Sequence, residues 1–184
     1  MKLTSRYLSD ELSLFLNMKK SRVSSPMELK YLGFGYCYDE DIKKWRLTAH
    51  PESVEKFLVK LEKLTQENLH LSLDVLNEKL KQSIEGWVVY FRIAELEDVA
   101  VLLDDELRTW MRVAIWKRWV AQNKQIISLV KLGISVKGAK ELAWSFKGEY
   151  FIAKSRVLQR ALSAEKLKQM GVLSVLDYYL RHKV

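Results

Sequence analysis

Residues 107–133 read LRTWMRVAIWKRWVAQNKQIISLVKLG. Trp110, Trp116 and Trp119 stand here among Arg108, Arg112, Lys117, Arg118, Lys124 and Lys131, and no acidic residue interrupts them. At helical spacing Leu107, Trp110, Met111, Ala114 and Ile115 share one face, while Trp116 falls opposite, with Val113 and Val120 near it. A helix apolar on two sides and basic between them is packed by neighbours on both, or offers aromatic and cationic groups to a partner. The first reading makes it a central core helix with solvated Arg and Lys. The second turns its basic edge toward a phosphate backbone.

Working outward, the pattern predicts that this helix begins near Asp104, with breaks at Asn123 or Gly133. Upstream, Pro51 suits a helical first turn, and Glu52 and Glu55 complement a helix N-terminus. Val54, Phe57, Leu58, Leu61 and Leu64 then form one stripe. A second helix opens at Ser72 and turns Leu73, Leu76, Leu80, Ile84, Trp87, Val88 and Phe91 inward. Gly86 inside it costs roughly 1 kcal/mol relative to Ala, a position that would admit a second helix closely. Nearer the start, residues 6–16 read as a short amphipathic helix with Leu8, Leu12, Phe15 and Leu16 on one face. Leu32, Phe34, Tyr36 and Tyr38 alternate with Tyr31, Gly33, Gly35 and Cys37, and WRLTAH returns, so a hairpin is expected over about 30–48. Downstream, 134–146 reads as a helix, KGEYFIA as an extended or irregular piece, and 163–170 and 174–181 as two short helices, with Ser163 a sensible N-cap.

The 184 residues suffice for one ordinary domain or two small ones. A 48% hydrophobic and 29% charged composition is that of a globular protein, and two prolines with seven glycines favour long helices joined by short connections. No apolar run is long enough to span a bilayer, and the N-terminus lacks the features of a secretory signal. One cysteine, Cys37, excludes an internal disulfide and any zinc site of paired cysteines; it reads as a buried small hydrophobe, and a reducing cytoplasm is the expected compartment. The net charge of +8 is unevenly placed. Residues 1–107 hold 15 Lys+Arg against 19 Asp+Glu, a net −4, whereas residues 108–184 hold 16 against 4, a net +12. That asymmetry points to a polyanionic partner rather than a membrane, because the basic half lacks the separated apolar and cationic faces of an interfacial helix.

Catalytic and metal-binding patterns are not found. GFG at 33–35 lacks the third glycine of a phosphate loop. His50, His70 and His182 are far apart, without metal-ligand spacing, and read as surface residues. Asp104-Asp105 resembles half of a polymerase metal box but is ordinary at a helix start, and Asp39-Glu40-Asp41 is ordinary in a hairpin turn. No cofactor is implied.

Several stretches together resemble one family. NMKKSRV (17–23), KYLGF (30–34), LNEKLKQSIEGWVVYFR (76–92), LDDELRTWMRVAIWKRW (103–119), LVKLGIS (129–135), AWSFKGEYFIAKSRVLQRALS (143–163) and GVLSVLDYYL (171–180) occur in the order found in the C-terminal portion of group II intron reverse transcriptases, or maturases. The resemblance implies a mainly α chain in three parts. Residues 1–48 are the remnant of a polymerase palm, with the N-terminal helix and β-hairpin. Residues 49–122 are the maturase-specific thumb, a helical bundle. Residues 123–184 are a small basic helical tail like the family's DNA-binding region. Fingers and the strand bearing Y-A-D-D would lie upstream of Met1, and no zinc-bearing endonuclease domain would follow Val184, so polymerase catalysis is not expected of this chain alone. The sequence departs from the family at Glu78, usually proline, and at Thr109, Val113 and Ala114, in a helix usually richer in arginine.

The implied function for this piece of a mobile element is binding of group II intron RNA to assist its folding and splicing. Lys and Arg neutralise phosphates and aromatic residues pack or stack. The expected contacts are Arg112, Lys117, Arg118, Lys124, Lys131, Lys137, Lys140, Lys147, Lys154, Arg156 and Arg160. Target DNA and a separate reverse-transcriptase half are further expected partners. Two alternatives stand beside this: a C-terminal fragment of a split RNA-directed DNA polymerase, active only with its partner, and an inert remnant or protein-interaction bundle. The sequence assigns no oligomeric state.

Overall fold

Several helix starts along the chain are set by side chains that satisfy otherwise free backbone N–H groups. The computed structural model of the chain describes residues 2–17, 21 and 23–184. In order they form α1 (Lys2–Leu12), a single 3-10 turn at Pro26–Glu28, β1 (Phe34–Asp39), β2 (Lys44–Ala49), α2 (Pro51–Glu67), α3 (Leu73–Phe91), α4 (Glu97–Arg118), α5 (Gln122–Lys131), α6 (Val136–Ala143), α7 (Glu149–Ala153), α8 (Arg156–Ala161), α9 (Ala164–Gln169) and α10 (Val175–His182). The mainly α architecture with an N-terminal helix and hairpin is the one expected. His50 opens α2 through its Nδ1, which accepts from the Glu52 N–H at 3.2 Å. Ser72, Ser135, Ser155, Ser163 and Ser174 cap α3, α6, α8, α9 and α10 in the same way.

The strands pair antiparallel, Phe34 opposite Ala49 through Asp39 opposite Lys44. The base of the hairpin is tied to the helices. Glu95 N–H donates to the Leu47 carbonyl at 2.8 Å, and Thr48 Oγ1 donates to the Glu95 carbonyl at 3.0 Å. Phe34 stacks against Tyr90 and meets Phe91 edge-on at 4.8 Å. Gly33 leads into the strand at φ +83°, and a Cβ there would press on Ser53 Oγ and the Phe91 ring at 3.2 and 3.3 Å. The far end, with Tyr38 and Trp45, is exposed.

A single buried core runs from Ala49 to Tyr179, and α4 is its axis. Ala100, Leu103, Leu107, Trp110, Met111, Ala114, Ile115 and Trp116 are all buried along it. Helix α4 packs against α2, α7, α9 and α10, so the two-sided apolar pattern is met by neighbours on both sides. Each large aliphatic side chain among them, such as Leu103, Leu107, Met111 and Ile115, contributes roughly 1.5–3 kcal/mol of transfer free energy. Tyr179, wholly buried on α10, donates its hydroxyl to the Ala94 carbonyl at 2.8 Å and locks the last helix onto the α3–α4 connection.

Several expectations are corrected. Helix α4 starts at Glu97, not near Asp104, and ends at Arg118, where Trp119 N–H closes on the Trp116 carbonyl. Asp104 therefore lies mid-helix, 4% exposed, and caps a different helix. Its carboxylate accepts from Val175 N–H and Ser174 Oγ, both at 2.7 Å, at the start of α10. KGEYFIA holds a helix, α7, and the helix expected over 134–146 is only Val136–Ala143. No atom lies within 4 Å of a Cβ placed on Gly86, so no second helix approaches there. Cys37 is exposed on the two-stranded sheet, which no further strand extends among the described residues. The first helix spans Lys2–Leu12, ending before Phe15 and Leu16. Met18, Lys19, Lys20 and Arg22 of the NMKKSRV stretch lie outside the described residues.

Candidate nucleic-acid interface

The cations of α4 face inward or are matched. Arg112 is 7% exposed, and its Nε donates to the Leu162 carbonyl at the end of α8 at 3.0 Å. Burial, helped by the nearby Arg108 charge, lowers its pKa. Arg118 donates from Nη1 to the Ala114 carbonyl at 2.8 Å and from Nη2 to the Leu71 carbonyl at 2.9 Å; burial lowers its pKa as well. Both were expected to meet phosphates; in the structure their guanidinium groups donate to backbone carbonyls of the scaffold. Arg108 pairs with Asp105, and Lys117 with Glu149 at 2.8 Å.

The remaining expected contacts are exposed and lie on α5 to α8 or their connections. Lys124 and Lys131 are on α5, Lys137 and Lys140 on α6, Lys147 between α6 and α7, Lys154 after α7, and Arg156 and Arg160 on α8. These elements form a contacting series: α5 touches α6, α6 touches α8, and α8 touches α7. Lys154 is engaged by Glu106 at 3.4 Å and lies 4.6 Å from the Tyr150 ring; Tyr150, then Glu106, raise its pKa. Among the described residues Lys124, Lys131, Lys137, Lys140, Lys147, Arg156 and Arg160 have no carboxylate within 4.0 Å.

Two features escaped the sequence reading. The first is aromatic: Trp144, Phe146, Tyr150 and Phe151 are exposed among those cations, where their type alone reads as core. The second is a shallow groove of about 330 Å³ between α2 and α3, lined by Lys56, Lys60, Gln82, Ser83, Gly86 and Trp87, with Trp87 stacked on Phe57 at 4.7 Å. The open space at Gly86 belongs to this groove. Among the described residues no group of three or more His, Cys, Asp or Glu is placed to hold a metal ion, and no helix is long and apolar enough to cross a membrane.

Residues 54–128 match the model of the family described as the group II intron, maturase-specific domain. This part of the chain is similar to a maturase-specific domain. It comprises nearly all of α2, the whole of α3 and α4, and most of α5, and it bears out the resemblance to the C-terminal portion of a group II intron maturase. No curated protein matches the chain. Of the eleven expected contacts, Arg112, Lys117, Arg118 and Lys124 lie inside the matched segment, and the other seven follow it.

Proposed function

We propose that the chain is a maturase-type module that binds group II intron RNA and assists its folding and splicing without catalysing a covalent step itself. The match of residues 54–128 carries this reading. The exposed cations of α5, α6 and α8 support its mode, since lysines and arginines with no internal carboxylate are free to replace the counterions of a phosphate backbone. The proposed contacts are Lys124, Lys131, Lys137, Lys140, Lys147, Arg156 and Arg160, with Lys117 and Lys154 available if they exchange Glu149 and Glu106 for phosphate. Arg112 and Arg118 hold the scaffold that presents them. The proposed division is a palm remnant over 1–48, the thumb over 49–122 and a basic region over 123–184, where target DNA would also engage.

The test is a titration of the chain against a structured group II intron RNA, with a non-cognate structured RNA and duplex DNA beside it, at several salt concentrations. Six to seven phosphate contacts give a slope of log affinity on log salt of roughly −4 to −6. Preference for intron RNA with that slope supports the module, and a flat dependence removes it. Equal, weak binding to every polyanion leaves a basic remnant.

A second reading is favoured by the N-terminal part. Among the described residues the sheet has only two strands, and Tyr31, Leu32, Tyr38 and Trp45 are exposed on or next to it. On this reading the chain joins a separate polypeptide that supplies fingers and a Y-A-D-D strand. Primer extension by the mixture, absent from either alone, is its test.

A further inference from the structure

We infer that the turn between α6 and α7, with the outer side of α7, is a stacking platform for unpaired nucleobases of a structured RNA. This rests on the RNA-binding reading above and names which part of the RNA is met. Trp144 is 65% exposed, Phe151 59% and Tyr150 48%, and Phe146 is fully exposed. Four open aromatic side chains thus fall within eight residues, where a globular chain normally buries such rings.

The backbone beneath them is fixed. Helix α6 buries Ala139, Leu142 and Ala143 and closes with Trp144 N–H on the Lys140 carbonyl at 3.0 Å. Ser145 Oγ accepts from Lys147 N–H at 3.3 Å, and the Gly148 carbonyl accepts from Ile152 N–H at 3.0 Å as α7 begins. Ile152 and Ala153 are buried beneath. Helix α7 is pinned to α4 by Lys117–Glu149 and by Glu106, which accepts from the Tyr150 hydroxyl at 3.2 Å and from Lys154 Nζ at 3.4 Å. Rings on so constrained a backbone lose little freedom on binding.

The surrounding charge identifies the occupant. Residues 137–160 hold Lys137, Lys140, Lys147, Lys154, Arg156 and Arg160 against only Glu141 and Glu149, and Glu149 is already matched by Lys117. Lys147 Nζ lies over the Phe151 ring, 4.4 Å from its centre, so a cation already sits on one π face of this cluster. With the cation on one face of Phe151, a base can stack on the neighbouring open rings while its phosphate pairs with Lys147. A duplex hides its base faces, so the platform selects loops, bulges and single-stranded joints.

The experiment uses the full chain and two RNAs of equal length, a hairpin carrying 2-aminopurine in an unpaired loop and a fully paired duplex. Wild type should quench 2-aminopurine emission on binding. Phe146→Ala, which removes a fully exposed ring without opening the core, and Trp144→Ala should each weaken loop binding by roughly 5- to 150-fold if the ring carries one stacked base. Duplex affinity and salt slope should stay within twofold. If wild type binds the loop RNA with the expected salt slope and both variants bind it equally well, the platform is overturned and RNA binding stands. If wild type binds neither RNA, both readings fall. Variants that change only the sedimentation of the protein would make the surface a protein contact and overturn the proposal.

Discussion

Helix α4 and the helices from α5 to α8 carry the same kind of residue, yet the structure uses it in opposite ways. The Arg and Lys of α4 lie where helix ends from elsewhere arrive: the Leu162 carbonyl closing α8, the Leu71 carbonyl before α3, and the Glu149 carboxylate opening α7. A guanidinium offers five donors, and buried or half-buried carbonyls without donors are costly, so the arginines become part of the scaffold. The later helices are short and have few acids to match. Residues 108–184 hold only four, and Glu149 and Asp177 are taken by Lys117 and Lys168. The surplus cations stay in water. The difference teaches that a basic run marks a polyanion surface only where the fold leaves its charges unclaimed.

The comparison can be broken or sharpened by substitution. The largest loss should come from Asp104→Ala, which strips the start of α10 of its acceptor inside the core; urea unfolding should show about 2–4 kcal/mol of destabilisation. Arg112→Ala should cost about 2–3 kcal/mol, from lost packing and an unmatched Leu162 carbonyl, while the salt slope of RNA binding stays put. A variant that unfolds like wild type but binds RNA with a shallower slope would move Arg112 into the interface. Arg118→Ala should behave likewise at about 1–2 kcal/mol. Lys117→Ala should lose only about 0.2–1 kcal/mol, as befits a half-exposed pair. Lys131→Ala with Lys140→Ala should change stability by less than about 0.5 kcal/mol, yet flatten the salt slope by about 1.5–2.

Much of the fold was legible because its periods are long and clean. The alternation of Phe34, Tyr36 and Tyr38 marked β1, and the stripes through Phe57–Leu61 and Leu76–Phe91 marked α2 and α3. Helix α7 was not legible, since five residues are too few to show a helical period. Asp104 carried a true capping signal whose target, α10, lies 70 residues on and is a neighbour only in the folded chain. The backbone partners of Arg112 and Arg118 are hidden for the same reason. Lys137 and Lys140 were legible as exposed because Ala139, Leu142 and Ala143 take the other side of α6. The aromatic residues at 144–151 were not, because an aromatic side chain is normally core and only packing shows that these lack one.

The most direct test compares, against one group II intron RNA, the salt dependence of wild type, Arg112→Ala, and a variant carrying Lys131→Ala, Lys140→Ala, Arg156→Ala and Arg160→Ala. The account predicts a steep slope for wild type, the same slope for Arg112→Ala at a lowered Tm, and a slope shallower by about 3 for the fourfold variant at an unchanged Tm. A flat wild-type slope, or a slope lost with Arg112 and kept by the fourfold variant, would contradict it.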